Sequence, residues 1–155
     1  MRHLLIGLVI AAFAMTAGCG DRQERTYRDP TTGSEVTVQT GERMQPPRNL
    51  PDFAPIHPGA RIENVMEGTS SGESGADSGG MVVFHTDADP EAVARFYRER
   101  FDASGLSERS ETRISGSLIL SASSADGAGD GVQVSIVPAE TGSGSTVSLV
   151  YSRAA

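Results

Sequence analysis

The chain contains no lysine and no tryptophan, and it has a single cysteine in 155 residues. Aromatic residues make up only 5% of it, against eighteen glycines, so any core must be small and its connections long and loose. All thirteen basic residues are arginines, and with twenty carboxylates the net charge is −7. An acidic chain without a basic cluster argues against nucleic acid as a partner, and against electrostatic attraction to anionic lipid. The longest apolar run, Leu4 to Ala14, falls short of the 18 or more residues expected of a spanning helix.

What is present begins with a leader. Met1-Arg2-His3 forms a short positive region, residues 4–14 an apolar one, and the small residues Ala17 and Gly18 then stand where a peptidase must approach the backbone. Cys19 follows directly. Met15-Thr16-Ala17-Gly18-Cys19 resembles the lipobox of bacterial lipoprotein precursors, with Thr16 where leucine is commonest in that family. The resemblance implies cleavage between Gly18 and Cys19 and a diacylglyceryl group on the Cys19 thiol. Each buried CH₂ contributes about 0.8 kcal/mol, so two or three acyl chains hold a protein to a bilayer without a transmembrane helix. The lone thiol therefore reads as an anchor rather than a redox or catalytic group. Gly20, not an aspartate, follows the cysteine, which under the enteric sorting rule favours the periplasmic face of the outer membrane over the inner membrane.

Removal of residues 1–18 leaves 137 residues (155 minus 18) carrying −8, because Arg2 is lost from the −7 total. That length suits one domain and a tether. Residues 19–58 read as the acylated cysteine and a Pro-rich tether, since five of the eight prolines fall between Pro46 and Pro58. Val36 and Val38, alternating after a Gly33-Ser34 turn, mark a candidate short hairpin inside it. Were residues 20–50 all flexible, they would span roughly 30 Å.

Residues 59–155 read as a small α+β domain. Residues 60–66 and 81–86 are strand-like, joined by a polar Gly/Ser loop from Glu67 to Gly80. Asp89 as N-cap, Pro90 at the first helical position and Gly105 as a left-handed stop bracket a helix. Its apolar stripe is Val93, Phe96, Tyr97 and Phe101. Residues 106–114 read as a polar edge strand. Three more strands follow, with alternation clearest in Val132/Val134/Ile136 and Val147/Leu149/Tyr151. The expected order is β-β-α-β-β-β-β, an antiparallel sheet of five to six strands with one amphipathic helix on one face. A helix 10–12 Å wide covers two or three strands at 4.8 Å spacing, so curvature, the Pro-rich segment or a partner must cover the rest. Pro55-Ile56-His57-Pro58-Gly59-Ala60, followed by Thr86-Asp87-Ala88-Asp89-Pro90-Glu91-Ala92-Val93 and Phe96-Tyr97, resembles a recurrent domain of small bacterial envelope lipoproteins. That domain carries a P-x-Y-P-G-A lead-in and a D-P-E-x-V-x-x-F-Y helix, and His57 stands here where its tyrosine is usual. No activity is implied by it.

The candidate chemistry is thin. Gly68-Thr69-Ser70-Ser71-Gly72 matches G-x-S-x-G, but a nucleophile elbow needs a strand-to-helix turn that this stretch does not precede. Asp126 and Asp130 bracket a Gly-rich turn, yet loop position twelve would be Val137 rather than a calcium-binding Glu. His57 and His85 lack ligand-spaced neighbours. The expectation is a non-catalytic envelope lipoprotein, without metal or cofactor, that binds or scaffolds in the periplasm. Its partners are the bilayer through acylated Cys19 and an envelope protein or a second copy. The alternatives are a binding module for a small apolar or glycan ligand on the uncovered sheet, and a cryptic hydrolase.

Overall fold

Side chains that alternate along an extended chain alternate between the two faces of a sheet, and the last two strands set the frame here. In the computed structural model, which describes residues 23–42, 44–72, 75–125, 129–140 and 143–154, β7 (Gly131–Pro138) and β8 (Ser145–Arg153) bury Val132, Val134, Ile136, Val147, Leu149 and Tyr151 on one face. Before them come β1 (Gln23–Arg28), β2 (Glu35–Thr40), β3 (Arg61–Gly72), β4 (Gly75–Thr86), α1 (Pro90–Ser104), β5 (Glu108–Ile114) and β6 (Ser117–Ser123). The strands form one antiparallel sheet in the order β1-β2-β3-β4-β8-β7-β6-β5. The fold is α+β, with one helix among the described residues.

The sheet has eight strands rather than five to six. The two additional strands are β1 and β2, the hairpin hinted at by Val36 and Val38, and β2 pairs with β3 from Glu35↔Thr69 to Gln39↔Val65. β1 is exposed along its whole length. Backbone pairing rather than side-chain burial holds it, so hydropathy gives little sign of it. Within the polar stretch 67–80, residues 67–72 and 75–80 are likewise strand rather than loop: β3 and β4 pair out to Gly72↔Gly75. Its backbone hydrogen bonds need no apolar side chain, and its glycines permit close approach. A one-residue bulge between Ile62 and Asn64 shifts the register at the other end of β3.

The helix has the expected caps. Asp89 Oδ1 accepts from the backbone N–H of Glu91 (3.0 Å) and Ala92 (2.9 Å). Gly105 adopts φ 76°, where a side chain would be strained, and the chain then turns Leu106 back into the core. Two carbonyls near that end find a donor from outside: Arg109 on β5 donates to Phe101 O (2.8 Å) and Leu106 O (2.9 Å). Ala94, not Phe96, completes the buried stripe with Val93, Tyr97 and Phe101. Phe96 is half-buried, edge-on to His57 with ring centroids 5.0 Å apart.

The helix lies over β6 and β7. Beside it the Pro-rich segment packs on the same sheet face through Leu50, Pro51, Phe53, Ala54 and Ile56, with Pro51 and Ala54 fully buried. Tyr97 Oη donates to Pro55 O at 2.8 Å and ties this strap to the helix. In the core that helix and strap share with the sheet, Val65 of β3 and Val82 of β4 are completely buried. At roughly 1.5–3 kcal/mol per large apolar side chain, this single face carries the hydrophobic stabilisation of the domain. The opposite face carries no covering element among the described residues.

Candidate functional site

Where strap and helix stop, the covered face opens into a cleft of about 240 Å³ over β1 to β4. Cross-strand register places its walls. The row Glu24–Gln39–Val65–Val82 runs from the polar edge into the core, and the row Thr26–Thr37–Glu67–Gly80–Tyr151 lies beside it. Glu24, Glu35 and Glu67 contribute carboxylates, and Arg48 from the strap contributes the cation. Thr26 and Thr37 share a hydroxyl hydrogen bond of 2.9 Å. Arg28 lies 3.6 Å from Glu35 in an exposed pair.

Two buried polar atoms at this end have no hydrogen-bond partner among the described residues. One is Oε1 of Gln39, whose side chain lines the cleft although the residue is only 5% exposed. The other is Oη of Tyr151. Its ring lies across Gly80, where a Cβ would sit 2.7 Å from Oη and 2.6 Å from Met66 O, so only glycine admits the tyrosine. Burial, and then the negative charge of Glu67, push the Tyr151 phenol up to about 12. An unpaired buried polar group costs about 1–3 kcal/mol. Two such atoms, one on the cleft residue Gln39 and one over Gly80 behind the cleft, leave hydrogen-bonding capacity unspent at this end of the sheet.

The residues singled out in the sequence lie elsewhere or outside the described region. Gly18, Cys19 and Asp126 are outside it. Ser70 is exposed on β3 opposite Asp77, with strand on both sides, so the elbow geometry does not form. Asp130 is used locally, its Oδ1 accepting from Ala154 N (3.0 Å) and its carbonyl from Ser124 N (3.0 Å). His57 Nδ1 donates to Pro58 O (3.0 Å), and Thr86 Oγ1 lies 3.4 Å from the same nitrogen. His85 stands between Arg61 and Thr146 on the uncovered face. Among the described residues no three His, Cys, Asp or Glu side chains converge on a metal-sized site.

A second concavity, between α1 and β5, is occupied by its own charges. Arg98 donates to Glu91 (2.7 Å) and to both oxygens of Glu111 (3.0 and 2.9 Å), and Arg109 pairs with Asp102. Its cations and carboxylates are mutually satisfied, which marks it as a brace.

The cleft residues could not be read from sequence. Gln39 and Glu67, and Tyr151 behind them, are far apart in the chain, and each occupies a polar or alternating position like many others. Gly79-Gly80, read from the sequence as the end of a polar loop, marks a close approach only once it is seen inside β4.

A family model described as START domain-like matches residues 62–145, more than half of the chain, and the chain belongs to that family. The match runs from β3 to the first residue of β8, so β1, β2 and the strap lie outside it. Glu24, Glu35, Gln39 and Arg48 of the cleft therefore lie outside the matched region. No curated protein and no solved structure matches the chain.

Proposed function

We propose that this chain is a non-catalytic binding module of the cell envelope, carried on acylated Cys19, that holds a small hydroxyl-rich ligand of the glycan type in the cleft over β1 to β4. The observation that carries the reading is the pair of unpartnered buried polar atoms at this end of the sheet, Oε1 of the cleft residue Gln39 and Oη of Tyr151, which lies over Gly80 just behind the lining residue Gly79. A sugar hydroxyl both donates and accepts, so it can serve an amide oxygen, a phenol and carboxylates in one place. The carboxylate and hydroxyl lining supports a glycan over an apolar ligand, which would leave Glu24, Glu35 and Glu67 desolvated without partners. Ser70, exposed on a strand, and the two separated histidines give no support to a hydrolase.

The test is calorimetric titration of a saccharide panel, running from monosaccharides to short oligosaccharides, into the mature domain and into Gln39→Ala. The reading expects saturable heat that Gln39→Ala weakens by about tenfold, the equivalent of 1.4 kcal/mol and within the cost of one lost buried hydrogen bond. If the folded domain binds no saccharide, or binds equally well without the Gln39 amide, the reading fails. Screening Ser70→Ala and His85→Ala against generic ester and peptide substrates tests the hydrolase directly.

A further inference from the structure

The uncovered sheet face differs from the rest of this acidic chain in its charge. Strand residues on that face include Tyr27, Val36, Met66, Met81, Val83 and Val150, interleaved with serines and threonines. Its carboxylates, among the described strand residues outside the Glu63 bulge, are Asp77 at the far tip of the β3–β4 arm and Glu108 on the outer edge strand. Four large side chains lie open on one side of it: Tyr27 at 59%, Val36 at 38%, Met66 at 39% and Val150 at 43% exposure. The covered side carries Glu24, Glu35, Glu67 and Glu111. Arg25 and Arg61 on the same face offset Asp77 and Glu108, and a neutral, partly apolar face on a chain of net charge −7 is where a surface of like charge is tolerated.

The chain length before this face says which surface that is. β1 begins at Gln23, only four residues after Cys19, and it is hydrogen-bonded along its length to β2. Four residues reach at most roughly 14 Å. A lipid on Cys19 would therefore hold the Gln23 end of β1 near the headgroups, so that the sheet, with Tyr27 and Val36 about 13 Å further along, lies at the bilayer instead of floating some 30 Å clear. We infer that the Tyr27–Val36–Met66–Val150 face of the sheet seats on the bilayer that carries the Cys19 acyl chains, with α1 and the strap turned away. The inference rests on the proposed acylation of Cys19. The seat needs no basic patch, because the acyl chains supply the affinity and the face has only to avoid repulsion and bury apolar area. The partner is thus a lipid surface.

The acylated full chain provides its own test, because Cys19 is its only cysteine and its thiol would be blocked, leaving an introduced cysteine as the single labelling site. An environment-sensitive fluorophore is placed at Met66→Cys, at the more exposed Val150→Cys, and at Glu99→Cys on the far side of α1. Each protein is reconstituted in phosphatidylethanolamine–phosphatidylglycerol vesicles containing a headgroup nitroxide lipid, and its fold is checked by circular dichroism. The labels at 66 and 150 should lose most of their emission to the nitroxide, lying within about 10 Å of the headgroups. The label at 99 should keep its emission. Equal emission at all three positions, in a protein that still floats with the vesicles, overturns the seat and leaves the anchor standing. Label-to-label self-quenching at 66 and 150 without nitroxide quenching also overturns it, and assigns the face to a second copy. The anchor itself fails separately, if Cys19→Ser remains in the membrane fraction.

Discussion

The Tyr97 hydroxyl of the helix donates to the Pro55 carbonyl of the strap at 2.8 Å, joining two segments 42 residues apart. The tyrosine is fully buried, and that burial pushes its phenol well above the usual tyrosine range. The bond ties the strap to the helix, which itself lies over β6 and β7. Tyr97→Phe keeps the ring and should cost about 1 kcal/mol, the net worth of one hydrogen bond. Tyr97→Ala should cost about 3–5 kcal/mol by leaving a cavity among Val93, Phe101 and the strap. Urea denaturation of the mature domain measures both, and equal losses for the two variants would show that the hydroxyl dominates.

Gly80 is required by Tyr151 and by the backbone of β3. Gly80→Ala sets a methyl 2.6 Å from Met66 O, which cannot move out of the ladder, and 2.7 Å from Tyr151 Oη. The expected loss is about 1–3 kcal/mol. Adding Tyr151→Phe removes only the second clash, so the double variant should recover little. Thermal melts of the three proteins decide it.

Tyr151→Phe alone should raise the stability of the free domain by about 1 kcal/mol, because it removes a buried hydroxyl with no partner. The same change should weaken binding of any saccharide that the cleft takes. Its pH dependence has a definite sign. The folded phenol is raised to about 12 from an ordinary value near 10. Its contribution is therefore complete below pH 10 and lost as pH rises through 12, and Tyr151→Phe should shallow that alkaline limb. A variant that is both less stable and unaltered in binding would contradict the assignment of Oη to the site.

Acid should loosen the brace between α1 and β5. Hydrogen bonds from Arg98, and then its charge, hold the Glu91 and Glu111 carboxyls below the usual range. A carboxylate depressed in the folded state contributes stability at neutral pH that disappears as pH falls through its folded value. Melting temperature should drop on acidification below the usual carboxylate range, and Arg98→Gln should flatten that drop. The pairs are exposed, so the effect should also shrink in high salt.

Sequence alone determined the elements whose signals are local. Asp89, Pro90 and Gly105 define the helix because caps act within one turn, and alternating valines define β7 and β8 because strand periodicity is a property of neighbouring residues. Leucine, proline and phenylalanine in residues 50–53 could be named but not placed, since nothing local says that a Pro-rich segment lies along a helix. The β1–β2 hairpin and the long polar arm of β3 and β4 were settled by backbone pairing across distant segments, which leaves no hydropathic trace. The cleft belongs wholly to tertiary structure. Gln39, Glu67 and Tyr151 share a face because antiparallel register sets them in adjacent rows, and a one-residue shift in those pairings would send them to opposite faces.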